Sequence, residues 1–200
     1  MSTQPFFVRV VAVITVLAIA IFLWTFLHAL FYAPDSEASV PTWAMIAIAP
    51  TSSKPVRLQI PSLHIDANVQ DLGLNAMGNV QAPDNFTDVG WYKYGTVPGY
   101  VGSAVIDGHV DNGLALSGVF KHLGDIKVGD QVYIITRGGA KLHFVVTDIA
   151  QYPYNNAPIN LIFGRNDSTR LNLITCTGTW VAGDKTYSER LVVFTKLSTS

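Results

Sequence analysis

Hydrophobic and polar positions follow two different rhythms along this chain. From Val10 to Pro34 there is no Asp, Glu, Lys or Arg, and VVAVITVLAIAIFLWTFLHALFY, residues 10–32, runs almost wholly apolar for 23 residues. At helical rise that is roughly 34 Å, enough to cross the hydrocarbon core of a bilayer. A cleaved secretory signal usually has an apolar stretch of about 7 to 15 residues, so the length favours an uncleaved anchor. The small-residue site Ser36-Glu37-Ala38 keeps cleavage as the alternative. Arg9 precedes the segment while Asp35 and Glu37 follow it, which predicts an N-terminus inside and the bulk of the chain outside. Trp24, Phe31 and Tyr32 suit the outer interface.

From Val56 onward the rhythm becomes that of short strands. VRLQI, HIDANVQDLGL, SAVIDGHV, QVYIITR, AKLHFVVTDIAQY, RLNLITCT and ERLVVFTKL are rich in Val, Ile, Thr and aromatic residues, and Gly-Asp, Gly-Gly, Pro-Asp and Asn-Asp pairs separate them. Many closely spaced strands predict an all-β domain closed into a barrel of about eight strands, since closure removes the sheet edges. Helical pattern is confined to LALSGVFKHLGDI, around Leu114 to Leu123, and to a turn near Asn160 to Phe163. Between the two regions lies APDSEASVPTWAMIAIAPTSSKP, whose four prolines and small polar residues read as a linker. Its apolar patch Trp43 to Ala49 is too short to cross a membrane and is expected to dock on the domain. The division is therefore 1–9 cytoplasmic, 10–32 transmembrane, 33–55 extracellular linker and 56–200 folded domain.

Charge and cysteine usage narrow the function. Thirteen Lys and Arg against fourteen Asp and Glu give a net charge of −1, and the basic residues are scattered, which argues against a nucleic-acid partner. Cysteine, histidine and carboxylate side chains show no metal-ligand spacing, so no metal or other cofactor is expected. The chain has one cysteine, Cys176, so no internal disulfide can form and packing must supply the stability. A lone thiol is either buried filler or kept for reactivity.

The reactive reading rests on what surrounds it. Cys176 ends the apolar run LNLIT, where the chain breaks into the polar, glycine-containing loop TGTWVAGDKTYSE. Arg190 opens the next strand run, and a hairpin would return it to Cys176. Of the five histidines, His28 lies in the apolar helix, His122 on the predicted short helix, and His64 and His143 in strand patterns. His109 instead ends the run SAVID directly after Gly108, at a strand end that can face a cleft. A thiol, an imidazole and a guanidinium at strand ends make a site for acyl transfer.

These residues carry a resemblance. The chain from about Val56 to Leu197 resembles the sortases, membrane-anchored cysteine transpeptidases of mainly Gram-positive bacteria. RLQIPSLHIDANV, GWYKYGTVPGYVGSAVIDGHV, VFKHLGDIKVGDQVYI, LITC and ERLVVFTK match in order. The family's Thr-Leu-x-Thr-Cys pattern reads Asn172-Leu173-Ile174-Thr175-Cys176 here, and Val110 stands where many members have a basic or polar residue. Both departures bear on subclass, housekeeping-like or actinobacterial class E or F, rather than on the reacting pair.

The resemblance implies a closed barrel behind an N-terminal anchor, and protein substrates with a C-terminal Leu-Pro-x-Thr-Gly-like sorting signal. It implies Cys176 as nucleophile, His109 as general acid and base, and Arg190 as donor to the substrate or oxyanion. An amine of the cell wall or of another protein would accept the acyl group. Thr175, Ile159, Leu161, Trp180 and Tyr187 are the candidate substrate-binding residues. A cysteine hydrolase that passes the acyl group to water, and a non-catalytic wall-facing scaffold, remain as alternatives. Transfer to an added amine separates the first, and thiol reactivity the second.

Overall fold

The computed structural model describes residues 4–31, 50–76 and 78–198. The N-terminal apolar run forms one helix, α1 (Gln4–Phe31), within which Val8–Leu30 is long and apolar enough to cross a membrane. From Val8 to Leu27 its apolar side chains are exposed, as a lipid-facing helix requires, while its last turn meets the barrel, where Asn112 Nδ2 donates to the Leu30 carbonyl at 3.1 Å. Most of the linker, with the Trp43–Ala49 patch, lies outside the described residues.

Eight strands follow: β1 (Pro55–Ile60), β2 (Ile65–Leu72), β3 (Val89–Tyr92), β4 (Gly102–Asp107), β5 (Gln131–Thr136), β6 (Lys141–Pro153), β7 (Thr169–Val181) and β8 (Thr186–Leu197). They close in the order β1-β2-β3-β4-β7-β8-β6-β5, with β1 and β5 antiparallel at the seam. The pairs β2/β3 and β4/β7 are parallel, and the others are antiparallel. Period-2 alternation sorts each strand's side chains between two faces. Ala104, Ile106, Leu171, Leu173, Leu191 and Val193 point inward, joining Leu58, Trp91, Ile134 and Phe144 in the barrel core. Their neighbours Val105, Ile174, Val192 and Phe194 point outward into a second apolar cluster. That cluster is roofed by a short helix, α2 (Ile159–Phe163), whose Ile162 and Phe163 are buried. Strands with two buried faces need cover on both, and here the barrel core and α2 supply it.

The structure differs from the sequence reading in three places. Leu114 to Leu123 forms no α-helix; an isolated bridge between Asp111 and Ser117, turns and a 3-10 turn at Leu123–Asp125 occupy it. Gly113, Gly118 and Gly124 break the run, and Ala115 adopts φ 58°, which no right-handed helix tolerates. The strand β3, carrying the buried Trp91 and Tyr92, was hidden in a Gly- and Tyr-rich stretch. The hairpin expected to return Arg190 to Cys176 is tighter than the loop TGTWVAGDKTYSE suggested, with β7 continuing to Val181 and β8 beginning at Thr186.

Candidate active site

Three adjacent strands bring the three predicted residues to one level. Asp107 pairs with Ile174 at the end of the β4/β7 ladder, and the Gly108 N–H continues it to the Ile174 carbonyl at 3.2 Å. His109 lies two residues past the end of β4, so the register carried on by two residues puts it level with Cys176, and Cys176 is itself the register partner of Arg190 on β8. Neighbouring strands lie about 4.8 Å apart, so a thiol, an imidazole and a guanidinium stand in one row. Cys176 shares the outer face of β7 with Asn172 and Ile174, and Arg190 that of β8 with Val192 and Phe194, by simple alternation. The thiol is half-buried, while His109 and Arg190 are each 6% exposed.

His109 is oriented from behind by the loop Pro83–Asp88. Its Nε2 lies 2.9 Å from the Pro83 carbonyl. A carbonyl only accepts, so Nε2 carries the hydrogen and Nδ1 is the nitrogen free to exchange a proton. Phe86 meets the ring edge-on at 6.3 Å. The loop is held by Asn85, whose Oδ1 accepts from the Thr87 and Asp88 N–H groups. Burial raises the Asp88 carboxyl, but hydrogen bonds from the Asn85, Gln70 and Asn68 amides outweigh it and hold the group below the usual carboxylate range. These supports escaped the sequence reading, although Pro-Asp-Asn followed by Thr-Asp is Asx-turn chemistry.

The glycines around His109 give space rather than conformational freedom. Gly108 does not have a positive φ; a Cβ there would sit 2.5 Å from the buried Phe120 ring. The His109 carbonyl accepts the Phe120 N–H at 2.9 Å, and a Cβ on Gly118 would lie 2.3 Å from that same carbonyl oxygen. Gly118→Ala therefore forces the His109 backbone away. It is expected to lower stability by about 1–3 kcal/mol, read as a drop in melting temperature, and to slow alkylation or turnover at Cys176 beyond what the stability loss explains.

Arg190 is tethered along its own strand. Nη1 donates to the Tyr187 and Glu189 carbonyls at 3.0 and 3.1 Å, and Nη2 to Thr186 Oγ1 at 2.9 Å. The guanidinium carbon stands 5.8 Å from the Tyr154 ring centre. Among the described residues, Nε–H and one Nη2 hydrogen have no acceptor, so donors remain for a ligand at Cys176.

The other predicted residues fall into separate places. The Thr175 hydroxyl, 2% exposed, points inward and donates to the Gly108 carbonyl at 2.7 Å. It pins β7 to the histidine strand, and its side chain does not face the thiol. Ile159 and Leu161 are half-buried on α2 against the outer apolar cluster. Asn172, at the departure from the family pattern, donates from Nδ2 to the Ile162 carbonyl and so fastens α2 to β7. The loop after α2 is tied by Asp167 to the buried Arg170; that hydrogen bond, chiefly, lowers the Asp167 carboxyl to about 2. Trp180, 47% exposed, packs edge-to-face on its cross-strand partner Tyr187 at 5.4 Å. The pair lines a cavity of about 540 Å³ with Asp111, Asn112, Lys185 and the end of α1. Among the described residues, no three His, Cys, Asp or Glu side chains form a cluster able to hold a metal.

Comparisons with known proteins bear on the family and the fold. A family model described as the Sortase domain matches residues 58–198. The fold is similar to that of sortase C-1 from Actinomyces oris, with 22% identity, TM-score 0.60, and 88% of this chain and 94% of that one covered. It is similar to sortase A from Corynebacterium diphtheriae, with 24% identity, TM-score 0.56, and 74% of this chain covered; the match spans 62% of that protein. A Clostridium perfringens sortase D5 transpeptidase matches at 18% identity and TM-score 0.54, covering 72% of this chain and 79% of the other. No curated protein matches the chain in sequence.

Proposed function

This chain belongs to the sortase family, and from that premise we propose that it is a cysteine transpeptidase, held by α1 in the membrane with its N-terminus inside and its barrel outside. Its substrates are proteins with a C-terminal Leu-Pro-x-Thr-Gly-like signal, and its acceptor is an amine of the cell wall or of another protein. The observation that carries the reading is the register that puts His109, two residues past β4, level with Cys176 on β7 and its partner Arg190 on β8. Packing alone does not call for an imidazole, a thiol and a guanidinium side by side.

In the proposed reaction the Cys176 thiolate attacks the Thr carbonyl of the signal, forming a C–S bond and pushing the carbonyl electrons onto oxygen. Arg190 donates its uncommitted N–H groups to that oxyanion. The C–N bond then breaks, and His109, as imidazolium, gives its Nδ1 proton to the departing Gly amine. Neutral imidazole next takes a proton from the incoming amine. The amine attacks the thioester, and Cys176 leaves as thiolate. Ile159 and Leu161 wall the groove for the apolar start of the signal, and the exposed Trp180 borders the acceptor side. Thr175 serves from beneath, by holding β4 against β7.

The test is to incubate the full chain in detergent with a signal peptide, with and without a glycine-based amine, and to weigh the products. Transpeptidation predicts a ligated product that grows with amine at the expense of the hydrolysed one. Cleavage that continues with no ligated product would replace the transferase reading with a hydrolase. No cleavage of any signal peptide would remove both.

A further inference from the structure

Strands β4 and β8 are not neighbours, because β7 lies between them, yet a side-chain link joins the segments that carry the outer two members of the row. The Tyr187 hydroxyl lies 2.8 and 2.7 Å from the two oxygens of Asp111, 76 residues away in sequence. Asp111 is two residues past His109, and its side chain is 8% exposed. Its one ion-pair partner among the described residues is Lys121, at 3.1 Å. Tyr187 is three residues before Arg190 and accepts the Arg190 guanidinium on its carbonyl oxygen at 3.0 Å.

The surroundings stiffen both ends. Segment 109–111 pairs with 117–120 through the Gly118 N–H to Val110 carbonyl and Phe120 N–H to His109 carbonyl bonds, both 2.9 Å, and the Asp111–Ser117 bridge. Tyr187 is braced by Trp180 across the hairpin. Burial, the Asp111 hydrogen bond and the Asp111 charge push the phenol well above its ordinary range, with the Cys176 charge adding to it. Tyr187 therefore stays a neutral hydrogen-bond donor at any working pH.

We propose that Asp111 and Tyr187 form a positioning latch that sets His109 and Arg190 at their working separation on either side of Cys176. The proposal rests on the transpeptidase reading and deepens it. With the hydroxyl spent on Asp111, Tyr187 acts through the neighbouring catalytic groups instead of touching the signal. Asp111 needs the hydroxyl in turn, since a buried carboxylate left to one half-exposed lysine is poorly compensated.

The experiment uses the full chain in detergent and the variants Tyr187→Phe, Asp111→Asn, Asp111→Ala and Tyr187→Phe/Asp111→Ala. Two readouts apply: kcat and KM on a fluorescent signal peptide, and the pH profile of Cys176 alkylation by iodoacetamide. Tyr187→Phe is expected to lower kcat about tenfold, with KM within about twofold. Asp111→Asn, which still accepts the phenol hydrogen, should lose less than Asp111→Ala. The double variant should be no worse than Asp111→Ala alone, since both break one link. The alkylation profile of Tyr187→Phe should shift, because His109 no longer holds its place beside the thiol. A raised KM with unchanged kcat makes Tyr187 a substrate contact and overturns the latch, as do additive losses. An unshifted alkylation profile in a folded Tyr187→Phe overturns it whatever the peptide shows. If the wild-type chain alkylates but processes no signal peptide, the transpeptidase reading fails alone, and the alkylation profiles still decide the latch.

Discussion

Replacing Cys176 with alanine is expected to abolish cleavage and transfer together, by roughly 10⁴-fold or more, while leaving the barrel folded. Cys176 is the chain's only sulfur nucleophile, and its side chain is only half-buried. Removing one sulfur atom there leaves little cavity, so the stability change should stay within about 1 kcal/mol. The β7/β8 ladder that carries residue 176 opposite Arg190 is made by backbone groups and survives the change. The informative measurement is mass spectrometry of the enzyme mixed with signal peptide and no amine. Wild type should gain the mass of the acyl portion as a thioester that hydroxylamine removes, and Cys176→Ala should gain nothing. Residual turnover in the alanine variant above the uncatalysed rate would mean that another group attacks the carbonyl, and the row would lose its nucleophile.

How much of this was legible before the fold depends on the range over which each signal acts. Strand alternation is local, so Leu171-Asn172-Leu173-Ile174 read correctly as a strand, as did the runs that became β1, β5 and β6. The uninterrupted apolar stretch announced α1 in the same way. The order of Gly108-His109, Cys176 and Arg190 was visible, and the barrel's register turns that order into a row. What stayed hidden depends on contacts distant in sequence. Gly108 read as a glycine that lets a strand end face a cleft, but the residue it must make room for, Phe120, lies 12 positions on and fills the space where its side chain would go. Pro83 gave no sign that its carbonyl would orient a histidine 26 residues later. The stretch Leu114 to Leu123 has helical spacing, but its glycines and the pairing of 109–111 with 117–120 hold it open. Nothing near Tyr187 in the sequence announced its bond to Asp111, because only the closed barrel brings Asp111 to its hydroxyl. Asn172 read as a mere departure from a pattern, whereas its amide holds α2, the roof of the outer cluster.

Arg190→Lys separates charge from geometry at the other end of the row, and it is expected to lower kcat by about 100- to 1000-fold, the usual loss for one oxyanion donor. Both side chains are cationic, so a role in supplying positive charge alone would survive the exchange. The guanidinium, however, spends three hydrogens on the Tyr187 and Glu189 carbonyls and Thr186 Oγ1, and still has Nε–H and an Nη2 hydrogen for a ligand. An ammonium offers three hydrogens from a single atom, so it cannot both satisfy acceptors along β8 and reach toward Cys176. Its stronger hydration also sits poorly at a position 6% exposed beside the Tyr154 ring. Under the proposed mechanism the missing interaction is made chiefly with the tetrahedral intermediate, so kcat should fall much more than KM rises. The check is steady-state kinetics on the signal peptide, with Cys176 alkylation confirming that the thiol remains reactive and folded around. A lysine variant within about tenfold of wild type in kcat would restrict Arg190 to holding β8 and leave the oxyanion to backbone donors.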